Sequence, residues 1–330
     1  MSTPLPGSPA AAALPGGPDT GSPFHPGEQE LQARAGLRER MEQVGRKVIR
    51  DFMPDQHREL FEQLPLLVVG SLDEQQRPWA SWLCGQPGFV RSPDARRLQV
   101  QARVDAGDPL ATRLAVGQPL GLLGIQLETR RRNRMNGRIS EVGADGFTVQ
   151  VEESFGNCPQ YIQARLPSFV PPAAAGLPAP PRAEARQLSP LAASLVAAAD
   201  TLFIASAAPG AAGVDVSHRG GRPGFVALSQ DAGGTVLTLP DYRGNFLFNT
   251  LGNLRLWPHA GLLFPDFERG GLLQLTGSTE IVWDGPEVEA VPGAQRLLRF
   301  RVESGWWRAG ALPLRWSAPQ LAPQLVALGE

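Results

Sequence analysis

Two stretches of the chain carry the same landmarks in the same order, and this repetition limits its fold more than any other feature of the sequence. Pro87-Gly88-Phe89-Val90 returns as Pro223-Gly224-Phe225-Val226, Gly121-Leu122-Leu123 as Gly261-Leu262-Leu263, and Asn136-Gly137-Arg138 as Thr276-Gly277-Ser278. The spacing between matched landmarks grows only from 136 to 140 residues, which one small insertion accounts for. A single four-residue match arises by chance. Collinear matches set in the same strand pattern point to an internal duplication.

Within each copy the elements follow one order. An apolar strand (Leu66 to Gly70; Leu202 to Ala205) leads through a turn to a strand ending near the Pro-Gly-Phe-Val element, and another strand follows (Leu98 to Ala102; Thr235 to Leu239). A short helix is predicted to begin near Asp108 or Asn245, either of which can cap it. The Gly-Leu-Leu strand and a long strand through Gly137 or Gly277 complete the copy. Short strands with turn signals and one internal helix predict antiparallel barrels, so the fold class is mainly β, two tandem β-barrels forming an intrachain pseudo-dimer.

Around the copies, residues 1–22 are dominated by Pro, Gly, Ala and Ser with almost no large apolar side chain, and are read as a disordered tail. From Glu28 to about Glu62 the apolar positions Leu31, Leu37, Met41, Val44, Val48 and Ile49 fall at helical spacing, predicting one or two amphipathic helices. Six prolines between 167 and 181 mark a stiff connector. The expected domains are 23–166, N-terminal helices with the first barrel, and 191–330, the second barrel, joined by a linker over 167–190.

Composition narrows the function. A formal charge of -1 and no long basic stretch argue against nucleic acid or an anionic membrane as the main partner. No run of 18 apolar residues exists to form a spanning helix. Two cysteines and no export-like amino terminus lead to the expectation of a reducing cytoplasm. Lys47 is the only lysine and sits in an amphipathic helical stretch, so Schiff-base chemistry is disfavoured and any phosphate must be held by arginines, hydroxyls and backbone amides. His25, His57, His218 and His259 show no metal-ligand spacing, and no metal is expected.

Several stretches together resemble the pyridoxamine 5'-phosphate oxidase-like FMN-binding split-barrel family, in its tandem bacterial form. They are Phe24-His25-Pro26-Gly27-Glu28, Arg131 to Arg138, Ser154 to Ile162, Asp215 to Val226, Pro240 to Asn245, Asn249 to Asn253, Gly261 to Phe264, and Leu273 to Gly277. The resemblance implies six-stranded split barrels with FMN in the crevice between them. It further implies basic residues near the Pro-Gly-Phe-Val position, here Arg219 and Arg222, and polar groups opening the following helix, here Asn245, Asn249, Thr250 and Asn253, around the phosphate. The family's Arg-x-Val-Leu-Leu-Lys and Ser-Arg-Lys patterns are missing, which sets strict pyridoxamine phosphate oxidase activity aside.

The residues themselves offer matching chemistry. Ser217-His218-Arg219-Gly220-Gly221-Arg222-Pro223 places cations and a histidine beside glycines that admit close approach of a ligand. Asp241 to Asn253 gathers polar groups at a helix start. Arg130, Arg132 and Arg134 alternate, so on a strand they share a face, which is unfavourable unless an anion or acidic neighbours compensate; their counterparts are Gly270, Leu272 and Gln274, and Gln274 is itself a candidate cofactor-binding residue. Asn157 and Gln160 follow the last strand of the first copy, with groups suited to a flavin ring edge. Cys158 has no nearby histidine and is rejected as a nucleophile. The expected function is a flavin-dependent oxidoreductase with a small-molecule substrate and an electron-transfer partner, with further homodimerisation left open. A non-catalytic flavin-binding module, or a barrel using haem or a deazaflavin, are the alternatives.

Overall fold

The structure, a computed structural model, describes residues 21–171, 179–208 and 213–327. Nearly all of the proposed tail over 1–22, the middle of the proline-rich connector, residues 209–212 and the last three residues lie outside the described residues.

Three helices, rather than one or two, precede the first barrel: α1 (Pro26–Arg34), α2 (Arg38–Val48) and α3 (Asp55–Gln63). The breaks have local causes. Gly36 takes φ 69° just after α1, a conformation that ends helices. Pro54 restricts Met53 to extended backbone and forces a new start at Asp55. His25 caps α1 through a reciprocal box, its side chain accepting from the Gly27 amide while Glu28 accepts from the His25 amide.

The duplication is explicit in the sheets. The first contains β1 (Leu66–Leu72), β2 (Pro78–Cys84), β3 (Val90–Asp94), β4 (Arg97–Val100), β5 (Pro119–Gln126), β6 (Arg131–Gly143) and β7 (Gly146–Gly156), hydrogen-bonded in the order β2-β1-β5-β6-β7-β4-β3. After β8 (Pro167–Phe169), β9 (Arg182–Glu184) and α4 (Pro190–Ala198), the second contains β10 (Thr201–Ala207), β11 (Val214–Gly220), β12 (Ala227–Asp231), β13 (Gly234–Tyr242), β14 (His259–Pro265), β15 (Leu272–Val282) and β16 (Ala294–Arg308). Its order, β11-β10-β14-β15-β16-β13-β12, is the first order element for element. Even the bulges coincide, at Asn136/Gly137 and at Thr276/Gly277. All pairs are antiparallel, so the fold is mainly β with two equivalent open barrels.

Each path has seven strands, one more than the six the resemblance implies, and β9 adds to the second by pairing with β16. The connector is likewise not all free chain: β8 pairs with β17 (Leu314–Trp316). The Pro-Gly-Phe-Val elements are turns, with Gly88 at φ 92° and Gly224 at φ 87°, values that an L side chain resists.

Each barrel has its own apolar core, and a third core lies where they meet, uniting Val68, Leu123 and Ile125 with Phe203, Val216 and Leu263. Full burial of each such side chain contributes about 1.5–3 kcal/mol. The repeated Gly-Leu-Leu elements explain how closely the barrels approach. A Cβ on Gly121 would lie 2.4 Å from the Val214 carbonyl oxygen, and one on Gly261 2.5 Å from that of Pro78. β5 thus crosses β11 as β14 crosses β2, a relation expected of a two-fold pair.

One connection breaks this symmetry. Helix α1, although it precedes the first barrel in sequence, packs Leu31 into the second barrel's core, against the helix α5 (Asn249–Leu256). Gly27 and Gly252 let the two helices touch, since a Cβ on Gly27 would meet the Gly252 carbonyl oxygen.

Candidate functional site

A groove opens along the barrel seam, between the β6 and β7 ends of the first barrel and β11, β13 and α5 of the second. From the first barrel it is lined by Arg132, Arg134, Asn157, Cys158, Gln160 and Tyr161. From the second come Ser217, His218, Arg219, Asp241, Asn245, Asn249 and Thr250. Its cavity volume is about 130 Å³, and it opens to solvent at the mouth.

Strand geometry brings the cations together. Arg132 and Arg134 are two apart on β6 and share its inner face. Arg219 is the last but one residue of β11, next to His218. The Arg134 guanidinium donates to Ser217 Oγ, lies 3.0 Å from Asp215 Oδ1 and sits over the Phe155 ring. Arg132 donates to the Cys158 carbonyl at 2.7 Å, while Arg219 approaches Asp241 only to 4.0 Å. Burial, with the neighbouring Arg219 and Arg134 charges, pushes Arg132 down to about 9. Burial also lowers Arg219, against the pull of Asp241. Arginine nonetheless stays charged at neutral pH, so the groove holds positive charge that an anion would stabilise.

His218 is the most telling residue. It is 3% exposed, and both ring nitrogens are buried without a hydrogen-bond partner. Burial first, then Arg132, Arg219 and Arg165, holds it well below the usual imidazole range, so it is neutral. A neutral imidazole offers one donor and one acceptor, and leaving both unmet costs roughly 1–3 kcal/mol each. Arg134 Nε and Asn157 Oδ1 are buried and unmet in the same groove. A polar ligand reaching these atoms would offset the cost.

The far wall is the start of α5. Phe248, at φ 64°, precedes the helix and supplies no capping side chain, so the first amides remain free to face an anion. Asn245, expected to cap a helix, lies four residues before the helix start and instead accepts from the Leu247 amide. Asp108 does cap, accepting from Leu110 at the 3-10 turn Pro109–Arg113. Thr250 donates to Ser217 Oγ at 3.1 Å, and Asn249 to Glu28 on α1 at 2.5 Å. The Phe24 to Glu28 motif therefore steadies the helix that opens the groove.

Four of the residues singled out from the sequence lie elsewhere. Arg222 is exposed and donates to the Leu325 carbonyl; Pro223 is exposed in the same turn. Asn253 is buried behind the groove, donating to Ser206 and Asp215. Gln274 belongs to the opposite seam, where it donates to the Ala80 carbonyl. Nor does Arg130 share the face of Arg132 and Arg134: it sits at φ 57° in the turn before β6 and donates to the Ile162 carbonyl. Sequence reasoning missed Tyr242 and Arg296. Tyr242 stacks on Tyr161 with centroids 5.0 Å apart, and Arg296, 3.5 Å from Asp241, lies over Phe248. Arg296 faces Asp241 across the β13–β16 ladder, a pairing invisible before the register is known.

Beneath the groove lies an acidic cluster. Burial and Asp215 push Glu153 up to about 7, with the Asn136 hydrogen bond, Arg134 and Glu152 as smaller influences. Burial and Asp215 likewise raise Glu28 well above the carboxylate range. A raised carboxyl stabilises the fold fully below its unfolded value near 4.5 and loses that contribution as pH rises through about 7. Glu153→Gln is therefore expected to gain stability over wild type progressively between pH 4.5 and 7, and to keep that gain at pH 8. Thermal unfolding of both proteins across pH 4–8 measures this, and a difference independent of pH contradicts it.

No family model and no curated protein sequence matches the chain. Solved structures similar to it include HupZ from Group A Streptococcus, at 14% identity over 36% of this chain and 90% of that one, with TM-score 0.29. Others are a FAD-binding protein from Mesorhizobium loti, at 16% identity over 39% and 98%, TM-score 0.27, and HutZ, the heme storage protein from Vibrio cholerae, at 12% over 41% and 97%, TM-score 0.24. Each of these likenesses covers less than half of the chain. The duplicated strand order is the chain's own: two antiparallel barrels of one topology are joined in tandem. Among the described residues, no helix is long and apolar enough to cross a membrane.

Proposed function

We propose that the chain binds FMN in this groove and uses it as a flavin-dependent oxidoreductase acting on a small molecule. The observation that carries the reading is the set of buried, unmet polar atoms on His218, Arg134 and Asn157, beside the loosely paired Arg219. That donor set suits a group with a phosphate at one end and a polar ring edge at the other. In this arrangement Arg132, Arg219 and the first amides of α5 hold the phosphate. Asn157, Gln160 and His218 meet the ring edge with neutral donors and acceptors. Tyr161 and Tyr242 shield the mouth from water.

When bound, FMN supplies the capacity to accept or donate hydride. The chain's part is to orient the substrate against the ring and to set its electronics by hydrogen bonds. Neutral His218 donates from one nitrogen and accepts at the other, without carrying charge to the site.

Purification followed by release and mass determination of the bound group tests the binding. An absorption spectrum with two visible bands is expected, and a single intense Soret band would point to haem instead. Steady-state oxidation of reduced nicotinamide by the flavin-loaded protein tests the redox role. Stoichiometric flavin with no turnover on any acceptor would leave a non-catalytic flavin-binding module.

A further inference from the structure

The two barrels are equivalent, so their contact generates two seams, and the coincident registers allow residue-by-residue comparison. Superposing strand order and bulges sets Arg134 on Gln274, Arg132 on Leu272 and Asn157 on Arg308. The same registers set Ser217 on Ser81, His218 on Trp82 and Arg219 on Leu83. Each of these three groove arginines thus has an uncharged counterpart, while the neutral Asn157 has Arg308.

That arginine changes the seam. Arg308 is 6% exposed and points inward, donating to Asp108 at 2.6 Å and lying 2.8 Å from Asp105. Asp108, itself 4% exposed, accepts from Ser81 and from Gln274. In the open groove the matching serine, Ser217, faces Thr250 and Arg134. Trp82, where the open groove has His218, packs edge-on against Phe203, Phe267 and Trp316 at 5.3 to 6.3 Å. Trp316 belongs to β17, which packs over this seam through Trp82 and Phe267.

We infer that the second seam is a sealed structural joint, with the Arg308 guanidinium set inside it against Asp108, and that the chain holds one cofactor rather than two. The stoichiometry rests on the flavin reading above; the sealing does not. In the open groove Arg132 has only backbone carbonyls as partners and Arg219 no carboxylate nearer than 4.0 Å, whereas Arg308 has two carboxylates within 2.8 Å.

Two measurements on the full chain test this. Titration of the flavin-free protein with FMN, at a protein concentration well above the dissociation constant, is expected to saturate at one equivalent per chain; saturation at two overturns the inference. Thermal unfolding without flavin compares Arg308→Leu with Arg132→Leu. Removing a buried ion-pair partner is strongly destabilising, so Arg308→Leu is expected to lower Tm by about 10 °C. Arg132→Leu, which puts the sealed seam's residue into the open groove, leaves Tm unchanged or higher. Equal Tm for Arg308→Leu and wild type overturns the sealing. Absence of any FMN binding with the Tm contrast intact counts against the flavin reading and for the sealed joint.

Discussion

Replacing Arg132 and Arg219 together by alanine is expected to strip the protein of FMN while leaving it folded. Each charge-assisted hydrogen bond to a phosphate contributes about 1.5–3 kcal/mol. Losing two therefore weakens binding by roughly 10²–10⁴-fold. Neither arginine has a close carboxylate partner, since Arg219 reaches Asp241 only at 4.0 Å and Arg132 donates to backbone carbonyls. The fold should lose little by their removal. Arg222→Ala is the matched control: it sits outside the groove, bonded to the Leu325 carbonyl, and should retain wild-type affinity. Equilibrium titration of the three proteins checks this, and undiminished binding by the double variant would remove the phosphate assignment.

The second large effect is expected at the crossing of the barrels. Gly121→Ala and Gly261→Ala each place a methyl about 2.5 Å from a backbone carbonyl oxygen of the opposite barrel. Neither sheet can yield locally, because both crossing strands are paired within their own sheets. Overpacking of this kind costs about 1–3 kcal/mol or more, enough to lower Tm by roughly 5 °C or more. Gly244→Ala, where an added Cβ meets nothing within 4 Å, should unfold with the wild type. Equal Tm for all three would mean that the seam is looser than described.

Much of this architecture was legible because duplication writes each constraint twice. The paired Gly-Leu-Leu elements mark the two crossings, and the paired Pro-Gly-Phe-Val elements mark two left-handed glycines in turns. Strand alternation correctly placed Arg132 and Arg134 on one face, yet failed at Arg130, where a turn residue at positive φ interrupts the period. The groove was harder to read than the strands, since it depends on which residues face each other across barrels. Gln274 was chosen as the counterpart of Arg134, and it is that counterpart, but equivalence in register put it in the other seam. Arg308 gave no sign of itself: only a strand pairing with Leu272 shows that it stands where the first copy has Asn157. The docking of α1 on α5 was hidden for a similar reason, because Gly27 and Gly252 are far apart in the chain.

The repeated strand order with unlike seams has a consequence for how such a protein can vary. In a dimer of identical subunits every substitution appears at both symmetry-related places, so a change that closes one pocket closes the other as well. Joining the copies in tandem lifts that coupling. One pocket is then free to be rebuilt as internal masonry, strengthening the whole, while its twin keeps the exposed charges and unmet atoms that ligand capture demands.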